Sequence, residues 1–109
     1  MRFEVRLTPD ALADLEEIHD WIALHDSPAR AANVEHAILA AIAALARHPH
    51  RGSHPRELLA LGMRQYRETL FKPYRILYSV ERRRVDVYLI ADGRRDMQTL
   101  LARRLLAAP

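Results

Sequence analysis

Tyr66 to Asp96 reads YRETLFKPYRILYSVERRRVDVYLIADGRRD. Apolar residues recur in it with a period of two, which is the signature of half-buried strands. Tyr66–Phe71 and Arg75–Val80 read as strands around Lys72-Pro73, and Arg84–Ala91 as a further strand after a turn at Arg82-Arg83. The arginines and the closing Gly93-Arg94-Arg95-Asp96 step therefore belong to a sheet and to the turn that leaves it. A two-residue turn at Arg82-Arg83 pairs Val80 with Val85, Tyr78 with Val87 and Ile76 with Leu89, so one face becomes wholly apolar. The other face carries Ser79 with Asp86, Leu77 with Tyr88 and Arg75 with Ile90. A slip of one residue would scramble this segregation. The apolar face is expected to take helices. The mixed face is neither hydrophilic nor core, and it awaits either a partner or the chain's own C-terminal helix.

Upstream of the sheet, Phe3, Val5 and Leu7 alternate with Arg2, Glu4 and Arg6, which predicts an N-terminal strand. Thr8-Pro9-Asp10 supplies an N-cap, a proline at the first helical position and an acid in the first turn. A helix to about Leu24 follows, with an apolar stripe of Leu12, Leu15, Ile18 and Ile22. Ser27-Pro28 repeats the start signal, and Ala31, Val34, Ile38, Ala41, Ile42 and Leu45 mark a second stripe that stops before Pro49. With only a short link at His25-Asp26, the two form an antiparallel helical hairpin. Residues 48–63 contain Pro49, Gly52, Pro55 and Gly62 and read as a loop, with a short helical turn at Glu57–Leu61. A last helix is expected over about Asp96–Leu106. The fold class is α+β: an N-terminal strand, an antiparallel helical hairpin packed on a curved antiparallel sheet, and a short C-terminal helix.

A chain of 109 residues forms one domain that buries about 65% of its unfolded surface. It has no cysteine, which excludes disulfides, thiol nucleophiles and cysteine metal clusters and suits a reducing cytoplasm. No window approaches the roughly 20 apolar residues of a membrane span. Residues 1–36 hold eight acids and three arginines, whereas residues 37–109 hold six acids and fourteen basic residues, so the halves carry −5 and +8. That asymmetry suits an acidic or nucleic-acid partner of the second half, although a solvated charged surface explains most such patterns. Lys72 stands alone beside sixteen arginines.

His48, His50 and His54 have the composition of a metal cluster, but no ordered element fixes them, so a solvated loop is the expectation and no metal is assigned. No glycine-rich loop precedes a helix, and Ser27, Ser53 and Ser79 sit in no nucleophile motif. No cofactor is expected. Arg67, Arg75, Arg94 and Arg95, with Tyr66, Tyr74, Tyr78 and Tyr88, have the chemistry to hold a phosphate backbone and stack on bases. Internal ion pairs explain the arginines equally well, and cross-strand packing is the favoured explanation for most of the tyrosines.

Gly62 with Tyr66-Arg67-Glu68, then Pro73-Tyr74-Arg75-Ile76, then Gly93-Arg94-Arg95-Asp96 before Leu100-Leu101 together resemble the RelE/ParE superfamily of bacterial toxins, over nearly the whole chain. The resemblance implies the fold above and a cognate antitoxin that wraps a disordered segment around the toxin. RelE-like members cut messenger RNA on the ribosome, whereas ParE-like members poison DNA gyrase without catalysis of their own. Residues 97–109, MQTLLARRLLAAP, hold no tyrosine, histidine or lysine, and Asp92 stands before Gly93 where the family often has histidine. Metal-free RNA cleavage needs a base and an acid, for which only Glu68, Asp92 or a strand tyrosine remain. The Gly-Arg-Arg-Asp step and the long hairpin helices are closer to the ParE-like branch. The expectation is thus a cytoplasmic toxin that inhibits DNA gyrase and is neutralised by an antitoxin folding on the mixed face and along the helices. No catalytic residue is assigned. Contacts to target or antitoxin are expected from Arg67, Arg75, Arg94 and Arg95, and secondarily from Arg103 and Arg104; direct nucleic-acid binding remains a lesser expectation. The alternatives are a RelE-like messenger endonuclease and an inactive homologue that only binds an antitoxin.

Overall fold

In a computed structural model that describes residues 2–106, the capping signals open the helices where the sequence places them. Thr8 Oγ1 accepts the Ala11 amide at 3.1 Å and starts α1 (Pro9–His25); Ser27 Oγ accepts the Arg30 amide at 3.0 Å and starts α2 (Pro28–Ala44). These bonds satisfy N–H groups that a helix start would otherwise leave open. The α2 stripe is buried through Ala31, Val34, Ile38 and Ile42. On α1 the buried line is Ala11, Leu15 and Ile22, while Leu12, expected inside, is half exposed. The core faces Ala11 because the small side chain lets α1 lie close to its neighbours.

After a loop and the short α3 (Arg56–Leu59), the chain forms β2 (Tyr66–Phe71), β3 (Tyr74–Glu81) and β4 (Arg84–Asp92), all antiparallel neighbours. The N-terminal β1 (Glu4–Leu7) joins the sheet beside β4, in parallel, giving the order β1-β4-β3-β2. The sheet is therefore mixed, with its last-made strand inside it. The β3–β4 turn is Arg82-Arg83, and Arg82 holds φ +57°, a left-handed conformation that costs a non-glycine residue about 1 kcal/mol.

The hairpin register follows the expectation from Val80↔Val85 to Tyr78↔Val87 and then departs from it. A β-bulge at Leu77/Tyr78 shifts the pairing to Leu77↔Leu89, Ile76↔Ile90 and Arg75↔Ala91. The expected pairs Ile76 with Leu89, Leu77 with Tyr88 and Arg75 with Ile90 are thus corrected. An extra residue in one strand of a ladder exchanges the faces of everything beyond it. Ile90 turns to the helical hairpin, where it joins Ile76, Tyr78, Val85 and Val87 over α1 and α2. Leu89 turns to the other face, where it meets Leu58, Leu77, Ala91, Met97 and Leu101. What the sequence presented as a mixed face awaiting a partner is here a second apolar core. It is closed by α3 and by α4 (Met97–Leu101), which Asp96 caps and which runs on as a π-type helix through Ala102–Leu106. No helix among the described residues is long and apolar enough to cross a membrane.

Candidate functional site

Functional groups gather at the end of the sheet where the β2–β3 turn meets the step after β4. Gly93 N–H donates to the Pro73 carbonyl at 2.8 Å, so the two turns are tied. Gly93 must be glycine here, because a Cβ would lie 2.9 Å from Arg75 Cδ. Asp92 organises the step: its carboxylate accepts the Arg94 amide at 2.9 Å, Arg94 Nε at 3.0 Å and Arg94 Nη2 at 2.6 Å. That guanidinium holds the Asp92 carboxyl below its ordinary value. Arg94 nonetheless stays 80% exposed, and Arg95 beside it is exposed. Asp96 caps α4 through Thr99, whose hydroxyl and amide keep the Asp96 carboxyl ionised to lower pH than usual.

The other arginines expected to make contacts take up internal partners to different degrees. Arg75 donates Nη1 and Nη2 to Glu57 at 2.8 Å each and Nε to Glu68 at 2.6 Å, and only 13% of its side chain is exposed. It clamps α3 to the sheet and has no open face for a partner. Arg104 pairs with Asp14 at 2.8 and 2.9 Å and donates to the Tyr88 carbonyl at 2.7 Å, which fastens the C-terminal helix to α1 and β4. Both act as internal clamps, because a carboxylate facing a shielded guanidinium outcompetes solvent for it. Arg67 donates Nη1 to the carbonyls of His50 at 3.2 Å and Gly52 at 2.8 Å and so holds the loop before α3. Arg103 is exposed near Asp96. Arg94 and Arg95 lie together on one turn; Arg67 and Arg103 do not join them.

The tyrosines also separate. Tyr78 is buried and donates its hydroxyl to the Pro49 carbonyl at 2.7 Å, while Tyr66 and Tyr88 meet edge to face at 5.6 Å. Burial pushes the Tyr66 and Tyr78 hydroxyls above their ordinary value. Tyr74 alone of the four stands at the turn, within reach of the charges of Arg94 and Arg30.

Two groups escaped the sequence reading. His54, assigned to a solvated loop, is part-buried: its Nδ1 lies 3.0 Å from the Tyr66 carbonyl, and it lines a cavity of about 380 Å³ with Glu68 and Arg75. Its only signal was proximity to Pro55, which fixes the loop. Trp21, Arg30 and Lys72 come from three distant segments to line an open groove of about 700 Å³ with Tyr74 and Arg94. Of these, Lys72, Tyr74 and Arg94 belong to the Tyr66–Asp96 segment, whereas Trp21 and Arg30 come from the helical hairpin.

The solved structures that resemble this chain share its fold. The chromosomal ParDE toxin–antitoxin system from P. aeruginosa matches with a TM-score of 0.71 at 18% identity, over 84% of this chain and 96% of that one. The toxin–antitoxin complex RelBE2 from Mycobacterium tuberculosis matches with a TM-score of 0.62 at 22% identity, over 84% and 99%. No curated protein matches the sequence. The family model described as the ParE toxin of the type II toxin–antitoxin system parDE matches residues 5–97, from β1 through the Asp92–Asp96 step into α4. With so much of the sequence inside that match, the chain belongs to the ParE toxin family of type II toxin–antitoxin systems.

Proposed function

We propose that this chain inhibits DNA gyrase in the cytoplasm and is neutralised by a cognate antitoxin. The observation that carries the reading is the family match, which includes the Gly93 turn on which Arg94 and Arg95 stand in solvent. Protein relatives solved as toxin–antitoxin pairs support the antitoxin. Because α3 and α4 close the second sheet face, the antitoxin segment is assigned to the helical hairpin, where Leu12, Trp21, Leu24 and Leu39 are exposed. An amphipathic segment that orders on binding suits such a surface.

Arg95→Ala removes a solvent-exposed guanidinium that makes no side-chain hydrogen bond or salt bridge among the described residues. It is expected to raise the concentration needed to inhibit gyrase supercoiling at least tenfold with an unchanged melting temperature; undiminished inhibition would sink the assignment. One observation favours a second reading, ribosome-dependent RNA cleavage: His54 and Glu68 line one cavity, a pair able to supply an acid and a base. Glu68 is already committed to Arg75 at 2.6 Å, which weakens it as a base. Transcript cleavage during translation that His54→Ala abolishes would favour this reading over gyrase.

A further inference from the structure

The groove beside the helical hairpin combines an exposed aromatic ring with three cations, a pairing that neither reading explains. Trp21 is 62% exposed and stacks one face on His25, with ring centroids 4.3 Å apart and planes 18° apart. It is one of the residues that line the groove. Arg30 and Lys72 are exposed and form no ion pair within the described residues. Arg94 spends Nε and Nη2 on Asp92 and keeps Nη1. Among the lining residues these three cations face one acid, Asp26, and Asn33 adds an amide able to donate and accept. The volume of about 700 Å³ lies within the roughly 300–1,000 Å³ of small-ligand sites.

We infer that this groove binds single-stranded nucleic acid, with one unpaired base stacked on Trp21 and the flanking phosphates held by Arg30, Lys72 and Arg94. A flat indole presented beside separated cations suits a base followed by its phosphodiesters. An acidic peptide would use the charges and leave the indole idle. Duplex DNA presents no free base face to stack. The groove shares Arg94 with the Gly93 turn and Lys72 and Tyr74 with the His54 cavity, whereas Trp21 and Arg30 line it and not that cavity, so variants at Trp21 and Arg30 test the inference apart from both readings of how the toxin acts.

Trp21 is the only tryptophan of the chain, so its fluorescence reports the site directly. Titration of the purified toxin with an eight-residue oligothymidylate at 50 mM salt is expected to quench that fluorescence. The logarithm of the binding constant is expected to fall with the logarithm of salt concentration with a slope of about −2, as three phosphate contacts on a single strand require. Arg30→Ala and Lys72→Ala, both at exposed positions, are each expected to weaken binding about fivefold to tenfold and to flatten the slope. Trp21→Leu, read by anisotropy of a labelled oligonucleotide, is expected to weaken it about tenfold. Circular dichroism of each variant checks that the fold is retained. Absence of quenching, equal binding by an octaglutamate peptide, or equal binding by duplex without quenching would each overturn the inference. A supercoiling assay on Arg30→Ala and Lys72→Ala then reads gyrase inhibition separately from oligonucleotide binding.

Discussion

Among single side chains, Arg75 has the most to lose by substitution. It is shared by Glu57 and Glu68, and the three side chains are 13%, 15% and 14% exposed respectively. Arg75→Met leaves two shielded carboxylates facing each other without their cation, which is expected to cost about 3 kcal/mol in urea unfolding at pH 7. The same pair sets an acid dependence. Hydrogen bonds from Arg75 hold the Glu57 carboxyl below its ordinary value of 4.5. Its contribution is therefore complete above about pH 4.5 and is lost as the pH falls through the lower, folded value. Unfolding curves between pH 6 and pH 3 are expected to show a loss of stability in the wild type that Arg75→Met largely lacks. Equal acid sensitivity in the two proteins would refute this account. The sequence placed Arg75 on the sheet and left it open whether an internal carboxylate or a partner would take it. What it did not reveal was Glu57, eighteen positions earlier, because the approach of α3 to the sheet depends on the whole chain and not on any local pattern. Arg94 and Arg95 were legible for the opposite reason: the Gly-Arg-Arg-Asp step is local, and a tight turn necessarily presents its side chains outward.

The secondary-structure elements were legible nearly to their ends, since N-caps, prolines and the change of period are all local signals. The bulge was not. Strict alternation from Val87 selects Leu89, but Leu89-Ile90-Ala91 is a continuous apolar run, so a bulge that turns Ile90 inward instead puts no polar residue in the core and leaves no mark in the period. The structure resolves the ambiguity through polar groups. At the bulged side of β4, the Ile90 amide donates to Asp14 Oδ2 at 3.0 Å and the Tyr88 carbonyl accepts from Arg104. The α1 acid and the C-terminal arginine thus satisfy the backbone where the ladder is irregular. Asp14→Ala leaves the Ile90 amide and most of Arg104 unpaired. It is expected to cost about 2–3 kcal/mol and to speed hydrogen exchange across Met97–Leu106 while exchange in α2 changes only with global stability. Unchanged exchange in the C-terminal helix would show that apolar contacts alone hold it. The same geometry explains why the mixed face looked unfinished from sequence: the residues that cover it, Leu58, Met97 and Leu101, lie on two short helices outside the strands.

Taken together, the fold is one sheet with an apolar layer on each side, and β3 feeds both, sending Ile76 and Tyr78 to the helical hairpin and Leu77 to α3 and α4. Neither layer can be lost without disturbing the strands that make the other. Urea unfolding is therefore expected to follow one transition, with far-ultraviolet circular dichroism and Trp21 fluorescence coinciding; separated midpoints would mean that the layers melt independently. Strand order has a consequence for the chain's birth. β1 emerges first, yet its sole strand partner is β4, and Leu7 precedes Arg84 by 77 positions. At a synthesis rate of about 5–20 residues per second, roughly 4–15 s pass before that partner exists. During that interval β1 waits unpaired, and the Gly93 turn, which follows β4, is still unassembled. The four-stranded sheet can therefore close only late in synthesis, and any activity or partner contact that depends on the closed sheet is expected to arise only then.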